Sequence, residues 1–193
     1  QPGSRAVGTR GQAASVKCRQ RRLTLQSRGR LSGAPVNTNL ILAKTLTMEW
    51  KQGEFTVTDK REDLDIETIH NFLRESYWAK GIPRPIVEKA VNNSLCFGLY
   101  HNSKQIGFGR AVTDQATFAY LADVFVVPAY RGRGLGKWLV SCVLAHPELQ
   151  GLRRWLLATL DAHGLYEQNG FVALRKPEWF MEINDPDIYQ HDV

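Results

Sequence analysis

The stretch VFVVPAYRGRGLGKWLV (Val124–Val140) decides how the rest of the chain is read. An apolar run stops at Pro128. Gly132, Gly134 and Gly136 then stand at alternate positions, with Arg131 and Arg133 beside them and Lys137 opening an amphipathic segment. Proline cannot donate to a sheet ladder, so the run reads as a buried strand ended by Pro128. Glycine permits positive φ and places no side chain between backbone and ligand. A helix start offers unpaired N–H groups and the positive end of a macrodipole. Strand, bend and helix together describe a cradle for an anion, and phosphate is the chemistry that fits. A plain strand-to-helix turn needs fewer glycines and no flanking cations.

Two common phosphate motifs fail here. In the P-loop pattern the residue five before Gly136 is glycine and the residue after Lys137 is a hydroxyl; this chain has Arg131 and Trp138. The dinucleotide fingerprint fails because the glycines are spaced two and two.

Working outward, Phe118–Pro128 (FAYLADVFVVP) is the longest apolar run and reads as a central strand. Before it, LCFGLYHN and QIGFGRAVTD form a hairpin turning at Asn102–Ser103, with His101 and Arg110 at solvated positions. Further upstream are a short strand FTVTD (Phe55–Asp59), a helix capped by Asp63 or Asp65 and running to Ser76, and a second helix IVEKAVNNS. A two-proline loop separates the helices. Downstream, the glycine bend leads to a helix over Leu135–Ala145. RRWLLATL is a strand, AHGLYEQNG a short helix closed by Gly170, and EWFMEI a final strand. The order β-α-α-β-β-β-α-β-α-β is that of a single mixed α/β domain.

Charge separates this domain from what precedes it. Nine of the 25 bases and none of the 19 acids lie in residues 1–48, so the remainder is net acidic by three charges. We expect residues 1–47 to be a disordered basic extension, because so little apolar content cannot offset chain entropy. A leader upstream of a start at Met48, an artefact of the reading frame, an organelle transit peptide and a basic nucleic-acid arm are its readings. Residues 48–193 form the folded domain. Cys18, Cys96 and Cys142 show neither metal spacing nor an even disulfide set, which points to a reducing, cytoplasmic compartment, or to a mitochondrion or plastid if the extension is a transit peptide. No run approaches the roughly 20 apolar residues of a membrane span.

Two segments, Val124–Val140 and HGLYEQNGF (His163–Phe171), together with the element order over about residues 54–183, resemble the GNAT superfamily of acetyl-CoA-dependent N-acetyltransferases. Thr159 stands where many members carry Asn, so that cofactor contact is not implied. The resemblance implies an α/β (α+β) fold: a mixed, mostly antiparallel sheet with helices on both faces. It implies acetyl-CoA as cosubstrate, with its pyrophosphate on Arg131, Gly132, Arg133, Gly134, Leu135, Gly136 and Lys137. Its pantetheine arm would lie along Phe125, Val126 and Val127. No metal is expected.

Acetyl transfer to an amine needs a deprotonated amine, a donor for the carbonyl oxygen and a proton for the departing thiolate. The resemblance implies Tyr166 as the general acid and the amide near Val126 as the carbonyl donor. Asp123, a carboxylate inside an apolar strand, is a candidate base or substrate contact, the other reading being a structural carboxylate bonded to a neighbouring backbone, Tyr or His. Period two puts it on one face with Phe125 and Val127, and Ala122, Val124 and Val126 on the other. Tyr77, Trp78 and Tyr120 are candidate acceptor-pocket walls. His163 is a further candidate, because imidazole is the side chain that ordinarily titrates nearest neutrality. The expected acceptor is a small-molecule amine, with a protein amine open, and many members of the superfamily pair as homodimers. Two other classes stand beside this one: a non-catalytic acetyl-CoA-binding module, and a nucleic-acid-binding protein. The acidic balance of the folded part speaks against the latter.

Overall fold

The computed structural model describes residues 47–190. The expected disordered extension over 1–47 therefore falls outside the described residues, apart from Thr47. β1 (Glu49–Gln52) and β2 (Phe55–Thr58) make a hairpin whose turn uses Gly53 at φ 59°. α1 (Ile66–Leu73) starts where Asp65 Oδ1 accepts the N–H groups of Glu67 and Thr68, at 3.0 and 3.1 Å. α2 (Arg84–Asn92) carries Pro85 in its first turn, where a missing N–H costs nothing. β3 (Leu95–His101) and β4 (Lys104–Thr113) turn at Asn102, whose φ is 53°. β5 (Phe118–Val126), α3 (Leu135–Leu144), β6 (Arg154–Leu156) and α4 (His163–Glu167) complete the strands and α-helices among the described residues.

The strands lie in sequence order, β1-β2-β3-β4-β5-β6. Neighbours are antiparallel as far as β5, and β6 is parallel to β5. A parallel pair needs a crossover connection, and α3 supplies it. One face of the sheet packs Cys96, Phe108 and Phe125 against Ile69 and Leu73 of α1 and Val87 and Val91 of α2. The other packs Phe97, Leu99, Ala111, Leu121 and Val126 against Leu135, Leu139, Val140 and Val143 of α3. The domain is thus a mixed, mostly antiparallel sheet with helices on both faces, as the sequence implies. A buried pair, His146 Nε2 donating to Asp59 Oδ2 at 2.9 Å, ties the end of β2 to the chain just after α3.

Three expectations need correction, and one strand has no sequence signal: in β1, EWKQ is four residues long and only Trp50 is buried. α1 stops at Leu73, three residues early, where the Ser76 hydroxyl donates to the Leu73 carbonyl at 2.7 Å. β6 holds three residues of the expected eight. The EWFMEI segment forms no strand: residues 177–179 make a single 3-10 turn, and Met181 and Ile183 stand free in solvent. An alternating pattern specifies a strand only where a face is buried, and here none is.

Candidate functional site

The chain after β5 turns through Pro128–Tyr130, where the Arg131 N–H closes on the Pro128 carbonyl at 3.2 Å. Gly132 and Gly134 then take φ of 76° and 75°, and a Cβ at either would meet nothing within 4 Å. Their need for glycine is therefore conformational. Gly136 is different. It is helical, and a Cβ there would lie at ordinary contact distance, 3.8 Å, from Val126 and Leu165 side-chain atoms, so neither φ nor packing demands glycine at that position. Gly134 caps α3 without any side-chain bond. Among the described residues, the amides of Gly132 to Lys137 meet no backbone carbonyl.

Beside this bend β5 and β6 separate. They pair only over Phe118–Tyr120 against Arg154–Leu156. Just past that point β5 carries a bulge: Phe125 pairs with Phe108 and Ala122 with Arg110, so Asp123 and Val124 together oppose Gly109. Asp123 sits at φ 53°. A bulge adds bend and twist to its strand, and a wedge opens beside it. Strict alternation fails here. Ala122 pairs with Arg110, whose side chain reaches Asp123, so Ala122 and Asp123 share a face.

Val127 gives its N–H to Ile106 of β4 at 2.9 Å. Val126 therefore turns its own N–H and C=O the other way, into the wedge. Arg131 Nε meets that carbonyl at 2.9 Å, and its guanidinium lies 5.9 Å over the Phe72 ring. Arg133 stacks 5.3 Å over Tyr130.

Two cavities occupy the wedge. The larger, about 1030 Å³, runs from the cradle past Phe125, Val126 and Lys137. The smaller, about 490 Å³, holds Arg110, Tyr120, Asp123 and Tyr166. Tyr77, Trp78, Val124, Asp161 and Ala162 line both. The Tyr77 hydroxyl accepts the Leu160 N–H at 3.0 Å, bridging the mouth between the α1–α2 loop and the β6–α4 loop.

Tyr166 is half-buried, with its ring edge-on to Phe171 at 5.9 Å. Burial, reinforced by Tyr77, Asp161 and Tyr120 nearby, pushes its hydroxyl up to about 12. It therefore holds its proton throughout the physiological range. Asp123 has both oxygens engaged. Oδ1 accepts Trp78 Nε1–H at 3.1 Å and Oδ2 accepts Arg110 Nε–H at 2.5 Å. Arg110 also donates to Ser94 Oγ at 3.1 Å.

The structure thus brings Tyr77, Trp78, Tyr120, Asp123 and Tyr166 to one cavity and leaves His163 out of it. His163 is exposed at the start of α4 and lines neither cavity. Thr159 caps that turn instead, its Oγ1 accepting the Ala162 N–H at 3.1 Å. Arg110 was read as solvated, yet its side chain is only 19% exposed. The overlooked signal is an arginine among apolar residues in QIGFGRAV, on the strand that pairs with the one holding Asp123. His101, also read as solvated, is partly covered, its Nδ1 lying 3.1 Å from the Tyr130 hydroxyl. Asp161, in the wall common to both cavities, was not singled out at all.

A mixed sheet splayed beside an amide-lined helix start makes an α/β domain with a crevice suited to an anionic ligand. The sequence model of the acetyltransferase (GNAT) family matches residues 47–171. A crystal structure of a protein assigned to that family from Xanthomonas campestris pv. campestris is 47% identical, with a TM-score of 0.69, covering 72% of this chain and 99% of that one. A Gibberella zeae protein named as an acetyltransferase is 30% identical over 148 residues, 65% of this chain and 82% of its own. An uncharacterized N-acetyltransferase, ycf52-like, from Prochlorococcus marinus is 36% identical over 117 residues, 56% of this chain and 63% of its own. The chain belongs to the GNAT family of acetyltransferases. It is an acyltransferase, of a family that uses acetyl-CoA.

Proposed function

We propose that this chain transfers the acetyl group of acetyl-CoA to a primary amine of a small molecule by direct attack. One observation carries the reading. The cavity at the amide cradle and the cavity at Tyr166 meet at a common wall of Tyr77, Trp78, Val124, Asp161 and Ala162.

The residues present fit the cofactor. The bend is open at Gly132 and Gly134, its amides lack backbone partners, and the crevice continues along β5. Bound there, acetyl-CoA supplies an activated acyl group on sulfur. The amides of Gly132 to Lys137 would hold the pyrophosphate, with Arg133 and Lys137 adding charge. The Val126 N–H, turned into the wedge, would donate to the acyl oxygen as charge develops there. The acceptor would attack as the free amine, its ammonium proton lost to solvent; Tyr166 Oη would give its proton to the thiolate as the C–S bond breaks, and the amine's remaining excess proton would return to the tyrosinate through solvent. Asp123 is neutralised by Arg110 and holds Trp78, so we assign it to positioning the acceptor wall. Asp161, which forms no ion pair among the described residues, attracts the incoming ammonium group. A cavity of about 490 Å³ walled by four aromatic rings is the size of a small molecule.

The test is thiol release from acetyl-CoA by the full chain against a panel of small amines and N-terminal and lysine peptides. Release with a small-amine class supports the reading. Release only with peptides overturns its acceptor, and saturable coenzyme A binding without release on any acceptor overturns catalysis in favour of a binding module.

A further inference from the structure

The indole of Trp78 stands between two cavities, and what it does there rests on the acetyl-transfer reading above. On one side is the cavity that holds Tyr166 and Asp161. On the other is a chamber of about 160 Å³ between α1, α2 and β4. Trp78, Asp123 and Arg110 line both and are linked in series. Trp78 Nε1–H donates to Asp123 Oδ1 at 3.1 Å, and Arg110 Nε–H to Asp123 Oδ2 at 2.5 Å. Those three side chains are the partition. Trp78 is its least covered member, 41% exposed, whereas the Arg110 and Asp123 side chains are 19% and 12% exposed.

The chamber behind the partition is apolar. Leu73, Ile82, Val87, Val91 and Phe108 line it and are buried, and the partly buried Tyr189 adds a wall from the C-terminal segment. That segment lies close against the α1–α2 loop: a Cβ at Gly81, whose φ is 78°, would stand 3.1 Å from the Tyr189 carbonyl oxygen. The polar groups of the partition are bonded to one another and to Ser94, so the chamber offers a ligand hydrocarbon and ring surface. An apolar cavity of roughly 150 Å³ stays dry and takes a group the size of benzene. We propose that Trp78 is a specificity-determining residue: its indole ends the acceptor site and keeps the apolar tail of an amine out of the chamber behind. The acceptor class is then a primary amine whose apolar body stops at Trp78. Removing the indole joins the two spaces and extends the class to amines with longer tails.

Straight-chain primary amines from ethylamine to octylamine test this on the full chain, as acceptors and as competitors of whichever amine releases thiol. In the unaltered chain, kcat/KM or competition should strengthen with length and level off where the tail meets Trp78. In W78A it should go on rising past that length, by about fourfold for each further methylene buried. A90L added to W78A puts a branch into the chamber and should bring the plateau back. W78L, which keeps an apolar side chain beside Phe72, should move the plateau less and in the same direction, and it serves if W78A melts early. A plateau that none of these variants moves overturns the role of Trp78 and leaves acetyl transfer standing. So does an unaltered chain with no plateau. No thiol release with any acceptor overturns acetyl transfer, and the role of Trp78 with it.

Discussion

Arg110 Nε lies 2.5 Å from Asp123 Oδ2, joining β4 to β5 at the one place where β5 is bulged and left-handed. The pair is mostly covered, with side chains 19% and 12% exposed. Asp123 φ of 53° is costly for a residue with a Cβ, and the ion pair with the Trp78 bond opposes that cost.

Removing one partner leaves the other half-buried and unpaired. Arg110→Met should destabilise the fold by about 3 kcal/mol, and Arg110→Met with Asp123→Asn, which removes the charge but keeps a side chain that tolerates φ 53° and accepts the Trp78 N–H, should recover part of that loss. Thermal unfolding followed by circular dichroism measures both. A double variant no more stable than the single would mean that the carboxylate is not what the arginine serves.

Tyr166→Phe keeps the ring against Phe171 and removes only the hydroxyl. On the proposed role, kcat falls about 100-fold or more, while KM for acetyl-CoA stays within a few-fold. Equal losses in both would assign the hydroxyl to binding rather than proton delivery.

Alkaline pH gives a second handle on the same residue. Its hydroxyl is raised from 10.0 to about 12 by burial. Between those values the unfolded chain has lost the proton and the folded chain has kept it. The unfolded state therefore binds fewer protons, and stability falls as pH rises through this window. Burial raises Tyr100 in the same direction. Urea midpoints measured from pH 9 to 11.5 should decline less steeply for Tyr166→Phe than for the unaltered chain.

The glycines of the cradle should divide by mechanism. Gly134→Ala forces a Cβ onto φ 75° and costs about 1–2 kcal/mol. Gly136→Ala adds a methyl at ordinary contact distance within a helix and should be neutral or slightly stabilising. Melting temperatures distinguish them, and similar losses at both sites would mean that packing, not φ, sets the requirement.

Asp59 and His146 make a test away from the wedge. Their side chains are 5% and 3% exposed, and Asp59 Oδ1 also accepts the Met48 N–H at 2.7 Å. Asp59→Ala strands both donors, so a loss of about 3 kcal/mol is expected. Amides of Trp50 and Lys51 should exchange faster than those of β3, since β1 loses its anchor first.

The sequence by itself determined the strand–bend–helix unit at Val124–Val140, the helix end at Gly170 and the hairpin turn at Asn102, and narrowed one helix cap to Asp63 or Asp65, of which the structure uses Asp65. Each is written in residues adjacent along the chain, where φ preference and hydrogen-bonding reach act locally. Tyr166 could be located because its segment carries a local pattern too. What only the tertiary structure decided is everything that depends on two strands meeting. The bulge at Asp123 arises from pairing with β4, so a period of two along β5 alone put Ala122 on the wrong face. Arg110 looked solvated because its partner lies 13 residues away on the next strand. EWFMEI alternates like a strand, yet alternation states only what a segment would do given an edge to join. Local preference can shape a turn or a cap, but pairing partners and buried charge are chosen by the packed whole.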